Sequence, residues 1–337
     1  MSETTVDIAS TAAAPKLPPV VPLPKLVQGA AFTAARVPTV RGLVRRYGEA
    51  FTINIPIFGR TVVVTDPALV RQVFTASTDT LINIQPNLSR LLGAGCVFAL
   101  DRAEHRSRRK LLTPPFHGKS IKNYEQLIEE ETLREAANWP VGKEFRTLEP
   151  MNRITLNVIL RAVFGADGAE LDRLREILPP WVTLGSKMAR LPSPSSTLAR
   201  FGPWGKLAAA RREYDEVVAT LTARAQADPR LEDRTDIFAL MLRARYDDGT
   251  AMSHTDIADE LLALLTAGHE TTASTLAWVF ERLRRHPDIA TAMAQEADGD
   301  ENELRQAAIL ETQRSRTVID FAGRHVAGPS FEMGDWH

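Results

Sequence analysis

The chain has 337 residues, of which 44% are apolar and 25% are charged, the balance of a globular protein with a sizeable core. Its 41 basic and 42 acidic side chains leave a formal charge of −1, so no overall field attracts nucleic acid or an anionic membrane. A single cysteine, Cys96, cannot form an internal disulfide, and no stretch reaches the roughly 18 apolar residues needed to cross a bilayer. We therefore expect a soluble, cytoplasmic protein without a nucleic-acid partner or a membrane span.

The amino-terminal part opens with residues 1–24, which are rich in Thr, Ala and Pro, lack the pattern of a signal peptide and are expected to form a flexible tail. After the tail, Leu26–Tyr47 carries apolar residues and arginines at a spacing that predicts a surface helix. The β-branched runs Phe51–Pro56 and Thr61–Thr65 predict a hairpin, and Asp66 followed by proline predicts the start of a helix.

The middle of the chain, up to Gly249, has a predominantly helical pattern. Helix breaks are predicted at its prolines: Pro86, Pro114-Pro115, Pro140, Pro179-Pro180 and the stretch from Pro192 to Pro203. Near the end, Thr317–Phe321 and Ser330–Met333 alternate like strands. With no repeat and no clear linker, residues 25–337 are interpreted as one domain, mainly α with a small β part.

A long helix is predicted from Ser253, whose hydroxyl can cap it three residues before Asp256, to the stop at His286-Pro287. Some 30 residues at about 1.5 Å each span on the order of 45 Å, enough to cross a domain. Most of the helix is apolar, which predicts burial, yet Gly268, Glu270, Thr271 and Thr272 lie in its middle.

Two interpretations of this polar interruption stay open on the residues alone. In one, Thr271 and Thr272 bond back to carbonyls one turn earlier and Glu270 reaches a cation, which only bends the helix. In the other, Gly268 lets a ligand approach the backbone, beside a hydroxyl and a carboxylate that relay protons.

Ala267-Gly268-His269-Glu270-Thr271-Thr272 resembles the oxygen-binding helix of cytochrome P450 mono-oxygenases. Upstream, the run from Glu104 to Arg109 is similar to the helix that supplies His and Arg to the haem propionates; His105 and Arg109, four apart, share one helical face. Taken alone, that run also fits a solvated basic face. Downstream, Glu311 and Arg314 resemble the family's Glu-x-x-Arg pair, although an acid and a base three apart are common on helix surfaces.

The resemblance implies a cytochrome P450-like fold and a haem-dependent mono-oxygenase that inserts one oxygen atom from O2 into a lipophilic organic substrate, with electrons from a redox protein such as a ferredoxin. It implies that Thr271 hydrogen-bonds the oxygen species and that Glu270 feeds protons. Ala267 and Gly268 would shape the oxygen groove, and His105 and Arg109 would anchor the haem. Substrate contacts are expected from the loop between Ile82 and Phe98, the Trp181 region and Leu264 or Leu265.

The family's Phe-x-x-Gly-x-x-x-Cys-x-Gly loop, whose thiolate holds the haem iron, is absent from the sequence. Ser89, Leu92 and Phe98 surround Cys96 where that loop needs Phe, Gly and Gly, so we interpret Cys96 as a small buried or loop residue and assign no metal ligand. The resemblance therefore implies a carboxy-terminally incomplete chain, inactive alone, whose truncation is biological, a frameshift or a gene-model artefact. Ser315-Arg316-Thr317, where many relatives have prolines, is a smaller departure.

Two alternatives belong to other classes of protein. A haem-free fragment or remnant would act at most as a module that binds apolar ligands or partner proteins, and the missing iron ligand favours it directly. A zinc hydrolase using His269 and Glu270 would need a second histidine where Ala273 stands, which argues against it.

Overall fold

The computed structural model describes residues 16–56, 58–84, 88–116, 122, 124–165, 168–189, 191 and 201–337. The chain divides into two compact units, where the sequence predicted one domain over residues 25–337. Of the described residues, 16–84 and 324–337 belong to the first unit and 88–323 to the second. None of the described helices has the length and apolar composition required to span a membrane.

In its described residues, the first unit combines three helices with two small antiparallel sheets. Its elements are α1 (Lys25–Ala34), α2 (Arg36–Tyr47), β1 (Ala50–Ile55), β2 (Gly59–Val64), α3 (Pro67–Thr75), β3 (Leu81–Asn83) and β4 (Arg324–Val326). The predicted hairpin is confirmed, with β1 and β2 paired from Ala50 opposite Val64 to Ile55 opposite Gly59. The predicted start of α3 is also confirmed, because the Asp66 side chain accepts a hydrogen bond from the Leu69 N–H at 2.8 Å.

The predicted helix over Leu26–Tyr47 is two helices, α1 and α2, separated at Ala35. Ala35 has φ −146° and ψ 56°, which lies outside the helical region. Pro38 follows the break within the first turn of α2, where its missing N–H costs no intrahelical hydrogen bond. A single continuous helix would have placed this proline in its interior.

The described part of the expected flexible tail is held in place, so that expectation is wrong for residues 16–24. Val21 is buried, and its N–H donates to the Thr52 carbonyl at 2.9 Å. The Thr52 hydroxyl donates to the Pro18 carbonyl at 3.1 Å. This segment therefore joins β1 through a short parallel bridge between Val20 and Thr52. Residues 1–15 lie outside the described part of the chain.

The second unit is helical throughout its described elements. They are α4 (Ser89–Leu92), α5 (Arg102–Leu112), α6 (Glu125–Ala136), α7 (Leu148–Phe164), α8 (Ala169–Met188), α9 (Gly202–Ala227), α10 (Ile237–Arg243), α11 (His254–Arg285), α12 (Pro287–Ala297) and α13 (Glu303–Ser315), with 3₁₀ turns at Pro114–Phe116 and Leu231–Asp233. Its main apolar core is built from inward side chains of α7 to α11. The mainly α fold with a small β part is confirmed.

Two predictions within this fold are wrong. Pro179 and Pro180 do not break the chain but lie inside α8, where buried neighbours such as Leu178 and Trp181 hold the helix against the core. At the other end, neither Thr317–Phe321 nor Ser330–Met333 is a strand. The strand here is Arg324–Val326, because it pairs with Leu81–Asn83, a partner that local alternation does not reveal. The expected breaks at Pro86 and from Pro192 to 200 fall outside the described residues.

Candidate functional site

The long helix α11 forms as predicted, from His254 to Arg285. Ser253 caps it by accepting a hydrogen bond from the Asp256 N–H at 3.0 Å, and the helix ends at Arg285, with His286 as its C-cap immediately before Pro287. Its polar interruption from Ala267 to Thr272 lies near the middle. At about 1.5 Å per residue, this segment begins on the order of 20 Å from the start of the helix.

One side of the interruption packs against α7. The His269 ring is buried, and its Nδ1 lies 3.0 Å from the Thr155 hydroxyl. A Cβ on Gly268 would lie 3.3 Å from the Ile159 side chain, so this glycine permits close approach of the two helices. Ala273 is buried in the same contact. Helix packing thus accounts for Gly268, and its predicted role in shaping an oxygen groove stays a prediction.

The other side of the interruption is open. Ala267 and Glu270 are exposed and Thr271 is half-buried, and their helical positions place them opposite His269 and Ala273. The Thr271 hydroxyl donates to the Ala267 carbonyl at 2.6 Å, which is the back-bond of the first interpretation. Glu270 forms no ion pair with a cation among the described residues; its carboxylate accepts from the Ser186 hydroxyl at 3.4 Å. A hydroxyl and a carboxylate therefore share one accessible face.

The buried ring of His269 differs chemically from its exposed neighbours. Burial lowers the pKa of His269, because the charged imidazolium would lose its hydration. A neutral ring bonded to Thr155 is a structural group rather than a zinc ligand, and no three metal-binding side chains cluster among the described residues.

The basic residues of α5 lie on different faces of the helix. His105 is half-buried and Arg109 is exposed on the shared face that the sequence predicted. Arg108, one residue earlier, is buried and turns toward the first two turns of α11. Arg108 therefore connects α5 to α11. The binding of haem propionates by His105 and Arg109 stays a prediction.

Acidic side chains at the start of α11 hold the loop that follows α4. The Asp259 carboxylate accepts from the Gly95 N–H at 2.8 Å, and the Glu260 carboxylate accepts from the Val97 N–H at 2.9 Å. A Cβ on Gly93 would lie 2.0 Å from Asp259, and the φ of Gly93 is +116°. Only glycine suits that position, because the carboxylate occupies the space of a side chain. We call these contacts the loop clamp.

Two arginines neutralise the loop clamp. Arg108 lies 3.3 Å from Glu260 and 3.5 Å from Asp256, donates to the Tyr246 hydroxyl at 2.8 Å and also bonds the Gly95 carbonyl. A second cation, Arg211 on α9, pairs with Asp259 and donates to the Leu92 carbonyl at 2.8 Å. Each arginine therefore donates hydrogen bonds to a backbone carbonyl as well as pairing with acidic side chains. Most of the buried N–H donors of the two guanidinium groups are hydrogen-bonded in this way.

The Glu260 carboxyl is the most enclosed group of the loop clamp, with no exposed side-chain surface. Its Oε1 has no hydrogen-bond partner among the described residues. Burial raises the pKa of Glu260, and the Val97 N–H and Arg108 offset part of that rise.

Cys96, within the clamped loop, does not fit an iron ligand. Its side chain is fully buried, and its thiol contacts the Gly93 carbonyl at 3.2 Å. Burial raises the pKa of Cys96 to about 11, and the nearby carboxylates of Glu260 and Asp259 also raise it. An iron-binding thiolate needs the opposite environment, so the described residues supply no thiolate ligand to a haem iron.

Two of the expected substrate contacts, Trp181 and Leu265, are core residues. Trp181 and Leu265 are buried in the main core, so neither side chain is available to a substrate. Their apolar character serves packing of α8 and α11 instead. The loop before Phe98 is anchored by the loop clamp, and residues 85–87 within it lie outside the described part. Leu264 is half-buried and keeps its predicted contact as a prediction.

The Glu311–Arg314 pair lies on the surface of α13. Its atoms approach to 2.6 Å, yet the two side chains are 61% and 73% exposed. The hydrogen bond from Arg314 lowers the pKa of Glu311. Here the pair behaves as the common surface arrangement rather than as a buried structural pair.

Sequence reasoning missed the loop clamp. Two signals could have found it: Asp259 and Glu260 interrupt the apolar face of α11, and Gly93 and Gly95 flank a single residue in a loop. Neither signal names its partner, because 164 residues separate Gly95 from Asp259.

Comparison with known families and proteins agrees with the site motifs. The family model of cytochrome P450 matches residues 15–329. A protein of Mycobacterium tuberculosis strain H37Rv, assigned by name to cytochrome P450 138, is 60% identical over 333 residues, which cover 98% of this chain and 76% of that protein. A second protein of the same strain, assigned to cytochrome P450 137, is 36% identical, with 93% of this chain and 68% of that protein covered.

Solved structures show the same fold. The retinoic acid-bound structure of cyanobacterial CYP120A1 superposes with a TM-score of 0.76 at 21% identity, covering 95% of this chain and 74% of that one. The haem domain of cytochrome P450DA superposes with a TM-score of 0.71 at 20% identity, covering 90% of this chain and 70% of that domain. At these identities the likeness concerns the fold.

Proposed function

This chain belongs to the cytochrome P450 family, and on that premise we propose that the open face of α11 is the oxygen-handling side of a mono-oxygenase site. Family membership makes the protein an oxidoreductase of the mono-oxygenase type with haem as its cofactor. Bound haem supplies the reductive splitting of dioxygen, and the protein supplies orientation and protons. The single observation that carries the proposal is the pairing of Thr271 and Glu270 on one accessible face.

In this proposal Thr271 is the group that presents a proton at the open face. Its hydroxyl donates to the Ala267 carbonyl, so it must rotate away from that bond to donate outward. Glu270, one residue earlier and exposed, exchanges protons with solvent and returns them through Ser186 or water. Ala267 adds only a methyl group, which leaves room beside the hydroxyl.

His105 and Arg109 would hold the propionates of the haem. Arg109 is exposed and His105 half-buried on one face of α5, and a guanidinium pairs with carboxylates in two hydrogen bonds. Arg108 keeps α5 fixed from its other face through Glu260. Ala267 and Gly268 would border the cofactor from α11.

The partners of the reaction belong to the same proposal. The family oxidises lipophilic compounds with electrons from a redox protein, and we propose a ferredoxin in that role. We also propose the cytoplasm as its compartment, since a chain with one cysteine forms no internal disulfide.

We further propose that the 337-residue chain alone does not form a thiolate-ligated haem, because Cys96 is buried and its pKa is raised. The test is the absorption spectrum of the purified chain supplied with haem, reduced and treated with carbon monoxide. No thiolate-type band is expected, and Cys96→Ala should leave the spectrum unchanged. A thiolate band that Cys96→Ala abolishes would overturn the proposal.

The role of Thr271 is tested in a fusion of residues 1–316 to the carboxy-terminal segment of a mycobacterial relative, chosen to restore the family's cysteine loop. Thr271→Ala should divert most consumed oxygen to peroxide and lower the product formed per oxygen consumed by about tenfold or more, because a positioned proton donor contributes about 10²–10⁴-fold to the rate. Thr275→Ala, which removes a similar back-bonded hydroxyl one turn later, is the matched control. Equal coupling in both variants would remove Thr271 from the mechanism.

A further inference from the structure

The near-neutral charge of the whole chain conceals a strongly cationic stretch. From Ile8 to Gly48 the sequence contains six basic residues and no acidic one. The whole chain carries −1, so the remainder is net acidic. Charge is therefore segregated toward the amino-terminal part of the first unit, which the total conceals.

The same stretch exposes its large apolar side chains. Among the described residues, six between positions 17 and 37 are about half or more exposed: Leu17 57%, Val20 57%, Leu23 51%, Leu26 77%, Val27 50% and Val37 47%. Single exposed apolar residues are ordinary on protein surfaces, but here six occur within 21 positions. We call these six side chains the apolar strip.

The helix α1 is fixed so that this apolar strip stays outside. Its buried side is Gln28 and Gly29. The Gln28 amide donates to the Leu23 carbonyl at 2.6 Å and accepts from the Asn54 N–H at 2.8 Å. A Cβ on Gly29 would lie 2.4 Å from Pro56, so the helix rests directly on the end of β1. Leu26 and Val27 consequently point away from the unit.

Cations border the apolar strip. Val37, Arg41 and Arg45 succeed one another at four-residue spacing on α2, so they form one exposed stripe. Lys25 is exposed beside Leu26. Lys25, Arg41 and Arg45 form no ion pair with another described residue, so no acidic side chain neutralises their charges within the described part of the chain.

We propose that the surface formed by these residues of Leu17–Arg45 docks on a lipid bilayer that contains anionic phospholipids. Aliphatic side chains bordered by lysine and arginine are the features of segments that lie in a membrane interface, with apolar groups among the acyl chains and cations at the headgroups. An acidic protein partner is less well matched, because leucine and valine are under-represented among the residues that dominate protein–protein binding energy. The docking is peripheral and does not depend on the proposed oxygen chemistry.

The test is co-sedimentation of the 337-residue chain with vesicles of phosphatidylcholine alone or of equimolar phosphatidylcholine and phosphatidylglycerol. Binding is expected to the anionic vesicles at low salt, at least tenfold tighter than to the neutral ones, and to weaken as salt is raised. Equal affinity for both vesicles, or no binding to the anionic ones, would overturn the proposal. So would capture of an acidic protein without binding to vesicles.

Two variants separate the charges from the apolar strip. Arg41→Gln with Arg45→Gln should weaken binding to anionic vesicles by roughly tenfold or more, since each cation near a charged membrane contributes about fivefold. Leu26→Ser with Val27→Ser should weaken it to a similar extent by removing side chains that enter the acyl region. All four side chains are exposed, so the fold should be retained, which circular dichroism checks.

Matched controls lie in the second unit. Lys143→Gln with Arg146→Gln makes the same change in net charge at exposed positions, and Ile128→Ser with Leu133→Ser removes comparable exposed apolar groups. Each should change the affinity by less than twofold. If the control variants weakened binding as much as the test variants, then net charge or nonspecific hydrophobic adsorption, and not this surface, would cause the binding.

Discussion

Two acid–arginine pairs of the second unit, Arg108–Glu260 and Arg314–Glu311, differ chiefly in burial. The Arg108 and Glu260 side chains are 6% and 0% exposed, at a separation of 3.3 Å. The Glu311 and Arg314 side chains are 61% and 73% exposed, at 2.6 Å. The exposed pair has the shorter contact but is expected to contribute less to stability, because water screens its charges and competes for its hydrogen bonds. Distance alone therefore does not rank ion pairs.

The buried pair does more than attract. Arg108 and Glu260 also bind the backbone of the loop at Gly95 and Val97, so the pair sets the path of the chain as well as its own geometry. In the exposed pair, the Arg314 guanidinium and the Glu311 carboxylate hydrogen-bond to each other, and neither binds a loop backbone among the described residues. Removing one partner should thus have unequal effects at the two sites.

The largest effect is expected for Arg108→Met. Methionine keeps much of the side-chain volume but leaves Glu260 buried without its cation, which typically costs about 3–5 kcal/mol of unfolding free energy. Urea unfolding followed by circular dichroism measures this loss. The double variant Arg108→Met with Glu260→Gln should recover part of it. If Arg108→Met alone were as stable as the parent chain, the buried pair would contribute no more to stability than the exposed one.

The next effect concerns pH. Burial raises the pKa of Glu260 above its ordinary value near 4.5, so ionising this group opposes folding. Its favourable contribution is full below the unfolded pKa and is lost as pH rises toward the folded pKa. Glu260→Gln should therefore remove a decline in unfolding free energy that begins near pH 4.5. Urea titrations across that range measure it; an unaltered slope in Glu260→Gln would contradict the raised pKa.

The smallest effect is expected for Glu311→Gln. Both members of the pair are largely exposed, and the α13 backbone hydrogen bonds do not depend on them. The thermal midpoint should stay within experimental error of the parent chain. A fall comparable to that of Arg108→Met would show that this pair is buried in solution.

Much of the architecture was predictable from local patterns. The Ser253 cap and the His286-Pro287 stop bounded α11, and β-branched runs located the hairpin. The hydroxyl, carboxylate and small residues of Ala267–Thr272 identified the family, which the comparisons confirmed. The roles proposed for Thr271, Glu270, His105 and Arg109 stay predictions, because no cofactor contact tests them.

Other features required partners distant in sequence. Local alternation suggested strands at Thr317–Phe321, whereas hydrogen bonding to Leu81–Asn83 selected Arg324–Val326. Local composition predicted a helix break at Pro179, whereas this proline lies inside α8, whose neighbouring side chains are buried in the core. In both cases tertiary contacts outweighed the local preference.

The amino-acid sequence by itself determined the limits of α11, the hairpin, the family and the segregation of charge before Gly48, because each depends on neighbouring residues or on composition. Tertiary structure alone decided which groups are buried. It turned Gly268 and His269 toward α7, left Thr271 and Glu270 open, and brought Glu260 to Arg108 across 152 residues. Burial then assigned different roles to chemically similar residues, since the free energy of a charge depends on the water around it.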